Sequence, residues 1–228
     1  MKLNVETAVL VLQVMKNFKI LIFFFFFISP LQAITIREKV KLNGEISKVT
    51  SFLYKNEYDK AKNILLNIKS SYPVSEYNII ADYFLAQIGY STREFYTALY
   101  YIDLAKEQIN DKRLSSSYKE KIQMLTALLY YETGLIAETE IEFQKLLGCE
   151  NPNFAETARL YLGLSAHEKK DSDNAKYYLF NINPKLLSSK DKEIYKYLMN
   201  FVSWSKIETN QIGYGDPNIC TLYAQNDT

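Results

Sequence analysis

Residues 56–73, NEYDKAKNILLNIKSSYP, carry a small side chain at Ala61, apolar ones at Leu65 and Ile68, and a proline, Pro73, at the end. Counted from Tyr58 the steps are 3, 4 and 3, the spacing that lines side chains along one face of an α-helix. The same steps recur three times downstream. Phe95, Ala98, Ile102 and Ala105 follow them, then Ile136, Thr139, Phe143 and Leu146, then Ser172, Ala175, Leu179 and Ile182. The small anchors Ala61, Ala98, Thr139 and Ala175 are separated by 37, 41 and 36 residues. A side chain of that size lets two helices of one unit approach closely, and the larger residue a turn further on buries against the neighbouring unit. The stretch therefore reads as one unit of about four, in an all-α chain.

Composition agrees with that class. A chain of 228 residues with 48% hydrophobic and 23% charged content is long enough, and apolar enough, to fold around a sizeable core. Nineteen tyrosines and 13 phenylalanines against only 7 glycines favour packed helices over turn-rich β architecture. The 27 basic residues nearly cancel the 26 acidic ones, which leaves no global field to attract nucleic acid or an anionic membrane surface.

The N-terminus has a different pattern. Lys16 and Lys19 precede an unbroken apolar run from Ile20 to Ile28, and Ser29-Pro30 breaks that run ahead of Ala33. This is the layout of a secretory signal peptide over residues 1–33. The apolar run is too short to span a bilayer, which needs about 20 residues. A longer span from Met1 would bury both lysines in hydrocarbon, and that points to Met15 as the start. The chain is expected to be secreted or periplasmic, touching a membrane only through an uncleaved signal segment.

The four copies resemble the tetratricopeptide repeat (TPR), a helix-turn-helix unit with small residues where its helices touch. Asn56, Tyr58 and Ala61, together with Gly134, match the family's turn and second helix. Leu162-Gly163 matches the Leu-Gly pair of its first helix. No copy carries the family's early tryptophan, and Thr139 stands in place of alanine, so the units are degenerate. The resemblance implies a right-handed α-solenoid of antiparallel helix pairs over residues 34–210. Lys190 to Asn210, with Ile194, Tyr197, Leu198, Phe201, Val202 and Trp204 at helical spacing, would form its C-terminal capping helix, and residues 211–228 a tail. The surplus in the interval of 41 is assigned to two added helical turns near NDKRLSSSYKE, residues 110–120.

Chemistry is sparse. His167 is the only histidine, no phosphate-binding loop is present, and the carboxylate pairs Glu138/Glu140 and Asp171/Asp173 have the character of solvated charge. No catalytic residue, metal ligand or cofactor site is assigned. The resemblance implies instead that the first helix of each unit lines a concave groove. Ile46, Thr50 and Leu53 would come from the first unit, Tyr83, Gln87 and Tyr90 from the second, Met124, Leu128 and Tyr131 from the third, and Leu160, Leu164 and His167 from the fourth. Such a groove is apolar and aromatic, which disfavours a carboxylate clamp, and each of these residues has core as its competing assignment. Cys149 and Cys220 are a candidate disulfide between the third unit and the tail. The alternative is a buried Cys149 and a free Cys220, and thiol titration of the denatured, unreduced chain separates the two.

The expected function is an exported, non-enzymatic protein-protein interaction module that binds a partner peptide or helix. The alternative is the sensory, ligand-binding part of an extracytoplasmic signalling system. Export makes a direct prediction: N-terminal sequencing of protein purified from its host reads from near Ile34, and an intact Met1 or Met15 on soluble protein contradicts it.

Overall fold

The computed structural model describes residues 34–201, and among them every regular element is helical. The helices are α1 (Ile36–Tyr54), α2 (Tyr58–Ser71), α3 (Glu76–Ser91), α4 (Phe95–Glu107), α5 (Ser116–Glu132), α6 (Ile136–Leu146), α7 (Pro152–Glu168) and α8 (Ser172–Phe180). A 3-10 turn at Pro184–Leu186 leads into α9 (Ser189–Phe201). The proposed signal segment, Val202, Trp204, the tail and Cys220 lie outside the described residues. The chain divides within α1, between Gly44 and Glu45, into two units. The first opens α1 with a capping box, in which the Glu38 N–H donates to Thr35 Oγ1 at 3.2 Å and the Thr35 N–H donates to Glu38 Oε2 at 2.8 Å.

In the second unit one turn geometry occurs four times. Asn56, Arg93, Gly134 and Lys170 have φ of 58°, 63°, 77° and 62°, and each lies five residues before one of the small anchors. The bonds around them are the same. The N–H of Glu57, Glu94, Leu135 and Asp171 donates five residues back, to Phe52, Gly89, Tyr130 and Ala166, at 2.8–2.9 Å. The left-handed residue's own N–H donates three back, at 2.9–3.2 Å. This pair of bonds is the Schellman motif, which satisfies the orphan carbonyls at a helix end while reversing the chain. The residue after the left-handed one already begins the next helix, since its carbonyl accepts from the anchor's N–H at 2.9–3.3 Å. One residue thus ends one helix and starts another; α2, α4 and α6 have no side-chain cap, and only at α8 does the residue after the turn, Asp171, add one. The helices that follow longer connections do have one: Ser75, Ser115 and Asn151 accept backbone N–H groups at the starts of α3, α5 and α7.

The anchors are the close contacts. Ala61, Ala98, Thr139 and Ala175 are at most 1% exposed, and Leu65, Ile102, Phe143 and Leu179, four residues on, are fully buried. Thr139 fits an alanine site because its hydroxyl donates to the Leu135 carbonyl at 2.8 Å, which spends the polar group within its own helix. A Cβ on Gly89 would lie 3.0 Å from the backbone nitrogen and Cβ of Ala98, so α3 and α4 meet where neither has a side chain beyond a methyl. Between the later units, Met124, Phe143, Leu146, Ala158, Tyr161 and Leu162 form one cluster, with the Tyr161 ring stacked 5.0 Å from Phe143. Leu160, Leu179, Ile182, Leu187 and Leu198 form the next.

One expectation is corrected. The extra residues of the long interval are not helical turns: residues 108–115 form a connecting loop, pinned by buried Leu114 and by the Asp111–Arg113 pair, whose arginine also donates to the Val74 carbonyl at 3.0 Å. In α9, which begins at Ser189, Leu198 is fully buried and Tyr197 is 60% exposed.

The turns can be tested one backbone at a time. A Cβ on Gly134 meets nothing within 4 Å, so Gly134→Ala carries only the cost of φ +77°, about 1 kcal/mol, whereas Lys170→Gly relieves the same strain and gains a few tenths to about 1 kcal/mol. Urea unfolding of the two variants should move in opposite directions, and a Gly134→Ala variant as stable as the parent contradicts the turn assignment.

Candidate functional site

With the turns aligned, the twelve sequence-selected positions fall in register. Leu53, Tyr90, Tyr131 and His167 each precede a left-handed residue by three, and the other eight lie three and seven residues further back. Burial then separates them. Ile46 (9% exposed), Met124 (6%) and Leu160 (0%) are core residues: Met124 packs with Phe143 and Tyr161, and Leu160 with Leu179 and Leu198. They have no surface to offer a partner. Thr50 is exposed, its hydroxyl donating to the Ile46 carbonyl at 3.1 Å. Leu53, Tyr83, Gln87, Tyr90, Leu128, Tyr131, Leu164 and His167 are half-buried. All eight keep part of their surface available, and Leu128, Tyr131 and Leu164 pack against the core clusters.

The tyrosines are held in place by rings and carboxylates. Tyr83 meets Tyr118 edge-on at 6.1 Å, and Tyr131 meets Tyr161 edge-on at 5.0 Å. The Tyr90 hydroxyl donates to Glu132 and the Tyr131 hydroxyl to Glu168, both at 3.4 Å. The two bonds occupy equivalent places, since each runs from the tyrosine three before one turn to the last residue of the first helix in the next unit. Burial raises the Tyr83 phenol to about 12, with Tyr118 adding to it. Burial first, then the glutamate beside each, lifts Tyr90 and Tyr131 to about 12 as well. Burial also pushes up Tyr161, to which the Asp191 and Glu132 charges contribute. These phenols stay neutral throughout the physiological range, and those of Tyr90 and Tyr131 act as hydrogen-bond donors.

Glu132, Glu168, Tyr161 and Asp191 were not selected from sequence. The visible signal was the repetition of an acidic residue directly after a groove position, as Tyr131-Glu132 and His167-Glu168. Asp191 holds the start of α9, where its backbone N–H donates to Ser188 Oγ at 3.1 Å and its carboxylate accepts from that hydroxyl at 2.8 Å.

Of the four carboxylates considered for chemistry, Glu138 and Asp173 are exposed, and Glu140 and Asp171 have structural partners. Glu140 ties α6 to α7 by accepting from Ser165 at 2.5 Å and Lys169 at 2.6 Å, and Asp171 caps α8 through the Asn174 N–H at 3.2 Å. Glu142 joins α6 to α4 through Lys106 at 2.7 Å. Among the described residues no group of histidine, cysteine or acidic side chains is arranged to hold a metal ion, and no helix is long and apolar enough to cross a membrane. Cys149 is half-buried, its sulfur 3.7 Å from the Lys145 carbonyl oxygen. Its candidate partner Cys220 lies outside the described residues.

Compared with known proteins, the chain matches no protein-family model, no curated protein and no solved structure.

Proposed function

We propose that this chain is an exported, non-catalytic interaction module, built as a TPR-like right-handed solenoid of antiparallel helix pairs, that holds a peptide or helix of a partner protein against its first helices. The observation that carries the reading is the repeated register of half-buried side chains. In four successive units the residue three before the turn is neither core nor fully solvated, whereas the anchor eight residues later is sealed in every unit. A stripe of that kind, aromatic at Tyr83, Tyr90 and Tyr131, offers apolar area that is already positioned, so little side-chain entropy is lost on binding. Export is supported by Lys16 and Lys19 ahead of the apolar run to Ile28.

The test begins with capture of partners by the mature chain from the host's own envelope or secretome, identified by mass spectrometry. Affinity for the captured partner is then measured with the Tyr83→Ala/Tyr90→Ala/Tyr131→Ala variant, after circular dichroism has checked that its helix content is retained. The expected loss is about 2 kcal/mol or more, some thirtyfold in affinity. Because Tyr131 packs on Tyr161, Tyr90→Ala alone serves as a milder variant and should lose a measurable part of the same energy. A folded triple variant that binds as tightly as the parent contradicts the reading.

A further inference from the structure

The last turns of α5 and α7 carry charge of the unfavourable sign. A helix C-terminus exposes unsatisfied carbonyls and the negative end of the helix dipole, so a cation is stabilised there and a carboxylate is not. Yet Glu132 and Glu168 are the final residues of α5 and α7, both exposed; α5 has no basic residue in its last turn, whereas α7 has His167 there and Lys169 at its C-cap. Three acids of α6 and α7 are matched by cations: Glu140 by Lys169 at 2.6 Å, Glu142 by Lys106 at 2.7 Å and Glu156 by Arg159 at 2.8 Å. Glu132 and Glu168 have no ion-pair partner among the described residues. Each receives only a neutral phenol, at the long distance of 3.4 Å, which leaves most of the acceptor capacity of a carboxylate unused.

A separate observation on the same face has the same sense. Gln87, one turn before Tyr90 on α3, has a buried carbonyl oxygen with no donor among the described residues. The Gln87 oxygen is sealed from outside, so the acceptors this face offers beside its aromatic rings are the exposed carboxylates of Glu132 and Glu168. An ammonium or guanidinium group satisfies both, because it donates strong charge-assisted bonds to carboxylates and is attracted to the negative face of a tyrosine ring.

We propose that the partner segment this face takes is a basic one, with lysine or arginine heads at Glu132 and Glu168 and their aliphatic stems along Tyr90 and Tyr131. The proposal rests on the reading of this face as the partner-binding surface and names the chemistry of its occupant.

The probe is a pair of fluorescein-labelled peptides of equal length, one alternating leucine with lysine and the other leucine with glutamate, titrated into the purified full chain. The lysine peptide is expected to bind about tenfold or more tightly than the glutamate peptide. Glu132→Gln/Glu168→Gln should weaken it by about five- to tenfold with an unchanged dichroism spectrum, since removing an acid from a helix C-terminus does not unfold the helix. Glu107→Gln/Glu138→Gln changes the net charge equally at two exposed positions, and should leave the affinity within about twofold. Equal binding of the two peptides overturns the cation preference while leaving the partner-face reading standing. A loss that appears equally in the control pair overturns it as non-specific attraction. Binding of neither peptide overturns it too, and the partner-face reading is then decided by its own capture experiment.

Discussion

Close approach at four small side chains is the constraint from which the rest of this structure follows. Ala61, Ala98, Thr139 and Ala175 are sealed from solvent, Ala98 directly against Gly89 of the preceding helix, and a helix can reach such a contact only if the chain reverses within a few residues of the previous helix end. The left-handed residue five positions earlier provides the reversal. Where that residue is Arg93 or Lys170 rather than glycine or asparagine, the backbone carries a cost of about 1 kcal/mol. The cost is sustained because the turn brings Leu65, Ile102, Phe143 and Leu179 into the core, and a fully buried side chain of that size stabilises by about 1.5–3 kcal/mol. Strain at the turn and burial four residues past the anchor are two sides of one local arrangement.

That arrangement also sets the candidate partner face. Residues three before each turn sit on the last turn of a first helix, where the neighbouring unit covers only part of them. Tyr90 and Tyr131 occupy equivalent positions and reach equivalent carboxylates one unit on, Glu132 and Glu168. The repetition of the backbone turn is thus echoed by a repetition of side-chain chemistry, across units whose sequences otherwise differ. Packing alone would not ask for an acid at the end of α5 and again at the end of α7.

The helices and their anchors were legible in the sequence because both depend on local spacing, and the steps of 3, 4 and 3 survive even where threonine replaces alanine. The Arg93 and Lys170 turns were hidden, since neither residue type signals a positive φ; they could be found only by counting back from the anchors, as Asn56 and Gly134 allow. The loop 108–115 was misread as helix because a length surplus does not say how it is spent, although Asp111 and the capping Ser115 mark turn and helix start. Core and face were the hardest to separate. Leu160 and Leu164 are the same residue type one turn apart, and Leu160 is core because Leu179, Ile182, Leu187 and Leu198, all from later segments, close over it. Glu132 and Glu168 were not singled out in the sequence, because nothing local to either one reveals the phenol that approaches from the previous unit.

The claim that one turn geometry is used four times is open to a direct measurement, amide hydrogen exchange resolved residue by residue. The N–H groups of Glu57, Glu94, Leu135 and Asp171 each make the bond that spans five residues, and each should exchange as slowly as the helical amides that flank it. Comparable protection at all four is the predicted result. Rapid exchange at Glu94 or Asp171, with α3, α4, α7 and α8 still protected, would mean that the left-handed turns at Arg93 and Lys170 do not form, and would contradict the account.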